Sequence, residues 1–393
     1  MYDIRIDTDK ALKLLQEMIS IDSVNPSLVK TGNGELGIAH HIGQYLEKMG
    51  IGVKYQEIDS KRANVIGVLQ GTGGGRTIML NGHTDTVSSE TMSIDPLDPR
   101  FENGKVYGRG ALDMKGGLAA QIAALHSIIE SGLRLKGDVI LACVADEEYA
   151  SRGTETLVKN YSADAAVICE PTGLKITIAH KGFAWAKVEV IGKAAHGSLS
   201  DEGIDAIIKA AKFLVEIENL GKDILSQRDH PLLGSPSIHA SLINGGIELS
   251  TYPDYCKIEL ERRTLPGENR ETVAGEIENI IEKVGSVDRQ FRANYDVFFY
   301  RPALEISREQ PIVQTLKKAC QIILRKEPEF VGMSGWLDSA VLAEADIPTI
   351  IFGPKGEGAH GSVEYVDFDS VVDTTKVLIK TILDFCGVCN PRA

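Results

Sequence analysis

Two histidines and four acids of this chain follow apolar runs, and a fifth acid sits in a glycine-rich turn. In TIMLNGHTDTV, His83 and Asp85 lie two apart at the end of a strand-like run. The period-2 geometry of a strand turns both side chains the same way. A neutral imidazole there binds a metal while the neighbouring carboxylate orients it. In VYGRGALDMKGGLAA, Asp113 sits in a glycine-rich turn just before a helical pattern that begins near Lys115. A carboxylate in that place is either a helix cap or a ligand with one oxygen for each of two cations. In ILACVADEEYASRGT, Glu147 and Glu148 follow a strongly apolar run. Adjacent acids there are either a solvated loop pair or are compensated by cations. Glu170 ends the apolar run of AAVICEPTG, and His360 lies in the glycine-rich loop of IIFGPKGEGAHGSVEYV.

Each signal alone also fits a turn, a cap or a solvated face. The set points to chemistry, because two imidazoles and several carboxylates suit a pair of zinc-like ions and a bound water. Two such ions about 3.5–4 Å apart acidify the water and clamp the attacking and leaving atoms. Side chains at the C-terminal ends of strands in an open α/β sheet line the ligand crevice, which is where these residues are expected.

The elements that must position them alternate. Helical periodicity covers residues 8–20 and 35–49, the latter stopping at Gly50. Strand-like runs follow at 52–58, 63–70 and 76–81. The glycine run 71–75 has no helix after it, which excludes a phosphate-binding loop and leaves a hairpin loop between the last two strands. Residues 115–131 form a helix with Leu118, Ile122, Leu125 and Ile129 on one stripe, followed by strands at 137–145 and 164–170. This βαβ alternation predicts a mainly parallel, helix-covered sheet.

The middle has another rhythm. A strand at 182–191 precedes a helix at 204–220, with Ile204, Ile207, Ile208, Ala211 and Leu214 expected inward. Strands at 237–243 and 254–263, a helix at 270–284 ending at Gly285, and a strand at 291–299 complete the order β-α-β-β-α-β of a ferredoxin-like unit. Helices at 308–326, 337–345 and 369–386 and a strand at 348–352 then resume the first pattern. The expected architecture is one α/β domain, residues 1–180 and 295–393, split by an inserted α+β domain at 181–294.

Composition is that of an ordinary globular protein, with 43% hydrophobic and 25% charged residues in 393. A net charge of −13 disfavours nucleic acid and anionic membranes as partners. No apolar run reaches membrane-spanning length, and MYDIRIDTDK lacks the apolar stretch of a secretion leader. Six cysteines in this length make no disulfide scaffold, so the cytoplasm is the expected location.

The motifs GHTDTV, GRGALDMKGG, DEE, CEPT, GKAAHGS, RRTLPGE and EGAHGSVEYV run in order from residue 80 to 366. Together they resemble the dinuclear zinc deacylases and exopeptidases, the superfamily of acetylornithine deacetylase, succinyl-diaminopimelate desuccinylase, aminoacylase and glutamate carboxypeptidase. The resemblance implies a helix-covered zinc-exopeptidase-like catalytic domain with a ferredoxin-like lid that also dimerises. It implies two divalent ions, zinc or cobalt. His83, Asp113 and Glu170 would hold one, and Asp113, Glu148 and His360 the other. Asp85 would orient His83. Glu147 would activate the metal-bridging water and then protonate the leaving amine. His196 of A-A-H-G-S would steady the oxyanion in the partner subunit's site, and Arg263 of R-T-L-P-G would meet the substrate carboxylate. Two segments depart from the family pattern. INGGIELSTYPD has Ser250-Thr251 where many members carry an asparagine turn, leaving Asn244 for that duty. MSGWLDSAV replaces a Gly-Gly-Thr-Asp loop, and Trp336 there would reshape the pocket.

The expected reaction is hydrolysis of the amide of an N-acyl amino acid, as in a deacetylase or desuccinylase. The alternative is a metallo-exopeptidase, a carboxypeptidase or dipeptidase acting on a short peptide with a free carboxylate. A non-catalytic metal-binding scaffold would need the ligands but not Glu147. His40, His41, His126 and His239 read as surface or packing residues, and His180 as a domain-junction contact. Cys143 and Cys169 read as small core residues, and the Cys386-x-x-Cys389 pair as exposed thiols at a fraying end.

Overall fold

The computed structural model describes residues 4–389. The chain opens with α1 (Thr8–Ile19) and α2 (Leu36–Lys48), then β1 (Gly52–Asp59), β2 (Arg62–Leu69), β3 (Ile78–His83), β4 (Phe101–Glu102) and β5 (Lys105–Tyr107). A π-helical turn, Ala111–Lys115, leads into α3 (Gly116–Glu130). Next come β6 (Val139–Val144), α4 (Arg152–Leu157), β7 (Ala165–Ile168) and β8 (Ile176–His180). The middle holds β9 (Gly182–Ile191), α5 (Ala206–Asn219), β10 (Ser237–Gly245), β11 (Tyr255–Thr264), α6 (Arg270–Val287), β12 (Ala293–Arg301) and β13 (Leu304–Glu305). The last part holds α7 (Pro311–Leu324), β14 (Phe330–Met333), α8 (Ser339–Glu344), β15 (Thr349–Ile351), β16 (Gly356–Glu357), β17 (Tyr365–Asp367) and α9 (Phe368–Cys386).

Two compact units result. The first comprises residues up to Ile178, Ile306–Val331 and Leu337 onward; the second comprises Ala179–Glu305 and Gly332–Trp336. In the first unit, β1, β2, β6, β3, β7, β15 and β8 lie side by side in that order. The four central strands β6, β3, β7 and β15 are parallel, and antiparallel pairs flank them. Each central strand is buried along its length, which fits the unbroken apolar runs of VILACV and AAVI. α3 is buried on nearly every side rather than along one stripe, because α1, α9 and the sheet enclose it. A small antiparallel sheet, β16-β17-β5-β4, belongs to the same unit.

The second unit is an antiparallel sheet in the order β10-β11-β9-β12, with α5 and α6 packed on it. Its core joins Ala184, Ala186, Val188 and Val190 of β9 to Phe213 and Ile217 of α5 and to Val273, Ile277 and Ile280 of α6. The chain thus alternates β-α-β-β-α-β here. Asn269 begins α6 with a reciprocal capping box, accepting the N–H of Thr272.

Four expectations need correction. The glycine run 71–75 is no hairpin, since β6 lies between β2 and β3; its backbone instead bonds to Leu135 and Lys136. α6 runs past Gly285 to Val287. Cys386 is buried in α9, not frayed. On α5 the inward stripe is Ala206, Ala210, Phe213 and Ile217, while Ile207, Ile208 and Ala211 face outward. Both faces of that helix are apolar, so periodicity alone could not say which one packs.

Candidate metal centre

Register builds the site. Along the parallel strands His83 pairs with Val144 and Asn81 with Ile168. Glu170, two residues past Ile168, is therefore brought level with His83. Glu147 and Glu148 follow just beyond Val144. α3 must pass close to this edge: a Cβ on Gly117 would lie 2.1 Å from the carbonyl of Cys169, so only glycine fits beside the Glu170 turn. Asp113 is not a helix cap; it sits in the turn before α3 with extended backbone. His360 and Asp146 take left-handed conformations, φ 60° and 70°, in the loops that carry the site. Such strain persists only where surrounding structure fixes it.

The side chains converge in two triads. His83 Nε2 lies 3.1 Å from Asp113 Oδ1 and 3.6 Å from Glu170 Oε1. His360 Nε2 lies 3.2 Å from Asp113 Oδ2 and 3.2 Å from Glu148 Oε2. Within each triad the ligand atoms lie within 4.8 Å of one another, and Asp113 turns one oxygen to each. Burial and the charge of Glu170 versus His83 act against one another here. Burial alone would lower the His83 pKa, but Glu170, Asp113 and Asp85 push it well up. The Glu147, Glu170 and Glu148 carboxyls are pushed up, first by burial and then by neighbouring carboxylates. Asp113 is half-buried, and although desolvation acts to raise it, hydrogen bonds from His360 and His83 hold it below the usual range. His360 is raised to about 10 by its bonds to Asp113 and Glu148. This is the field of a site with excess negative charge.

A cation pair fits that field. The donors are imidazole nitrogen and carboxylate oxygen, the set that zinc and its neighbours accept. Glu148 Oε1 is buried without a hydrogen-bond partner among the described residues, an oxygen that a cation would satisfy.

The surrounding shell gives Asp85 further partners. His83 Nδ1 donates to the backbone carbonyl of Asp85 at 2.9 Å, while the Asp85 carboxylate stands 3.5 Å away. That carboxylate instead accepts the backbone N–H groups of Glu147 (3.2 Å) and Glu148 (3.1 Å) and the amide of Asn25 (2.8 Å). Asn25 also reaches Asp146, which pairs with Arg62 at 2.7 Å. Glu35 accepts the N–H of Asp146, and burial together with the Asp85 charge raises its pKa to about 9. Asp338 is raised to about 6 by burial and accepts from Thr154. Asn25, Glu35, Arg62, Asp146 and Asp338 escaped the sequence reading. The only sequence cue was polar residues standing next to apolar runs.

Asp85, Glu147 and the five ligand candidates all belong to the first unit. His196, Arg263 and Asn244 belong to the second. His196 is exposed and its Nδ1 lies 2.8 Å from Ser198 Oγ. Arg263 donates to Glu261 at 2.7 Å and lies over the Phe183 ring. Asn244 is exposed on β10, opposite Lys257.

Comparison with known proteins finds a family, relatives and solved folds. Residues 79–384 match the model of peptidase family M20/M25/M40. The chain is 28% identical to an N-formyl-4-amino-5-aminomethyl-2-methylpyrimidine deformylase of Bacillus subtilis, over 96% of this chain and 95% of that one. It is 28% identical to an acetylornithine deacetylase of Myxococcus xanthus, over 97% and 99%. The fold matches that of an aminopeptidase of Bacillus cereus with a TM-score of 0.78 at 20% identity, covering 96% and 98% of the two chains.

Proposed function

The chain belongs to peptidase family M20/M25/M40, and we propose that within this family of hydrolases it removes a small acyl group from the amine of an amino acid. One observation carries the reading: two triads of metal-binding side chains share a single carboxylate, Asp113, with Glu147 beside them. The two relatives named for deacylation are 28% identical to this chain, against 20% for the aminopeptidase, which supports a deacylase over an exopeptidase.

His83, Asp113 and Glu170 would hold one divalent cation, and Asp113, Glu148 and His360 a second, with zinc the best match and cobalt a substitute. When bound, such a pair supplies Lewis-acid polarisation of a carbonyl and a more acidic water. Glu147 takes the proton of the attacking water and returns it to the leaving amine. Asp85 holds the Glu147–Glu148 turn through two backbone N–H groups. His196 and Arg263 enter on the resemblance: His196 to steady the developing oxyanion in the partner subunit's site, Arg263 to meet the substrate carboxylate. Arg263 already shares its guanidinium with Glu261, so it would offer the substrate its remaining N–H groups. Asn244 is proposed as a further polar contact to substrate.

The inserted unit is proposed as lid and homodimer surface. β10 is an edge strand of nine residues with Leu242 63% exposed, and α5 shows Ile208 58% and Val215 55% exposed. A long apolar edge of this kind invites a second strand, and an identical copy satisfies it isologously. A cytoplasmic setting completes the proposal; among the described residues no helix is long and apolar enough to cross a membrane.

The deciding experiment is a panel of formyl-, acetyl- and succinyl-amino acids against dipeptides, with zinc or cobalt added. Turnover of acylated amino acids above dipeptides supports the reading, and the reverse order overturns it.

A further inference from the structure

Glu364 follows His360 by four residues and is completely buried. Pairing of β17 with β5, Tyr365 opposite Tyr107, delivers it beside the segment that runs from Gly108 to Asp113. Its two oxygens each accept two bonds. Oε2 takes Arg109 Nη1 at 2.8 Å and the Gly110 N–H at 2.9 Å. Oε1 takes the Leu112 N–H at 2.9 Å and the N–H of Asp113 itself at 3.0 Å. The Glu364 carbonyl accepts the Gly108 N–H at 3.1 Å. Arg109 closes the loop by donating Nη2 to the carbonyl of Gly361 at 3.1 Å and Nε to that of Ser88 at 3.2 Å. Successive backbone N–H groups aimed at one carboxylate make an anion nest, here filled by an internal side chain. A buried carboxylate is tolerated only when satisfied in this way.

We infer that Glu364, with Arg109, is the positioning pair that sets Asp113 and His360 in register for the second cation. The inference rests on the two-cation reading above. Its logic is asymmetry. His83 closes β3, and Glu170 follows β7, so strand pairing holds both without Glu364. Asp113 and His360 lie in loops, and the bonds from Glu364 and Arg109 join those two loops. A residue needed only for folding would weaken both triads alike. A positioning residue weakens the triad of Asp113, Glu148 and His360 more than that of His83, Asp113 and Glu170.

The test uses the full chain and cobalt(II), titrated by visible absorption and by competition with a chelator, with thermal unfolding in chelator as the check on folding. Glu364→Gln keeps the shape but replaces one acceptor oxygen by an NH₂ facing N–H donors. Partners behind the ligands typically change metal affinity about 10–100-fold. The expected result is a second cobalt weakened by that factor and a first held within about threefold, at an unchanged unfolding midpoint. Arg109→Lys, which keeps the charge but loses the fork, should give the same asymmetry in milder form. It decides the matter should Glu364→Gln fail to fold. Two cobalt ions bound as in the wild type, or both weakened equally with the fold intact, overturn the inference alone. A wild-type chain that takes up a single ion overturns the two-cation reading and this inference with it.

Discussion

Replacing Asp85 by Asn separates two roles for one carboxylate. If the carboxylate orients His83, its loss should loosen the first cation. If it holds the Glu147–Glu148 turn, its loss should slow the reaction while His83 stays in place. The structure favours the second, because His83 Nδ1 already has the Asp85 carbonyl at 2.9 Å, and that carbonyl survives the substitution. The carboxylate accepts the N–H groups of Glu147 and Glu148 and the Asn25 amide. An asparagine oxygen can keep the Glu148 and Asn25 bonds, but its NH₂ then faces the Glu147 N–H. One bond to a charged acceptor is lost, about 1.5–3 kcal/mol, and a buried N–H is left unpaired, about 1–3 kcal/mol more. Together these come to about 2.5–6 kcal/mol, or roughly 10²- to 10⁴-fold where the whole cost falls on the transition state. The assay is kcat and KM on the best substrate of the panel, beside cobalt titration of the same preparation. The expected result is a fall in kcat within that range, with the first cobalt bound within tenfold of wild type and the second weakened through Glu148. Loss of the first cobalt with the second retained would show that Asp85 acts through His83 after all.

Glu147→Gln should lower turnover about 10²–10⁴-fold while both cations remain bound; activity within tenfold of wild type would assign the proton transfer to another group. Ile208→Glu combined with Leu242→Lys should turn a dimer into a monomer by light scattering. Mixing His196→Ala with Glu147→Gln chains should restore part of the activity if His196 crosses between subunits. Exchange of subunits without recovery would place each His196 in its own chain's reaction. Burial lowers the His180 pKa to about 4 from an ordinary 6.5. The unfolded chain therefore takes up a proton that the folded chain refuses, so this contribution to stability is present above pH 6.5 and is lost as pH falls from 6.5 towards 4. At the lower end the loss amounts to about 3 kcal/mol. Urea unfolding of wild type and His180→Gln across that window should show a steeper acid loss in the wild type, and parallel curves would refute it.

Most of the ligand candidates were legible because the acid or imidazole follows an apolar run that must end as a strand. His83, Glu148 and Glu170 owe their visibility to the buried strands before them. Asp113 was visible only through its motif, since a carboxylate before a helix is also how helices begin. Glu364, Asn25 and Asp146 could not be given a role from sequence: their partners are backbone groups and side chains distant in sequence, and no local period encodes those. The failure at α5 has the opposite cause. Ile207 and Ile208 are more apolar than Ala206 and Ala210, which pack inward, so the pattern placed them on the core side, although Leu214 of the expected stripe does pack against the core. The glycine run 71–75 misled because strand order in a parallel sheet is set by crossovers, and no local turn signal reports that β6 will come between β2 and β3.

The place of β15 in the sheet has a consequence for how the chain is born on the ribosome. Ile351 pairs with Ile168, so 351 − 168 = 183 residues are translated between the two partners. At about 5–20 residues per second, β7 waits about 9–37 s with one edge unpaired. The whole second unit is made in that interval, and it has a core of its own to collapse around. Prompt folding of that unit keeps it from offering its own strands to the waiting edge. Substitutions that slow it, even far from any ligand, should therefore appear first as aggregation of nascent chains, at rates that depend on translation speed and temperature, while the molecules that escape are fully active.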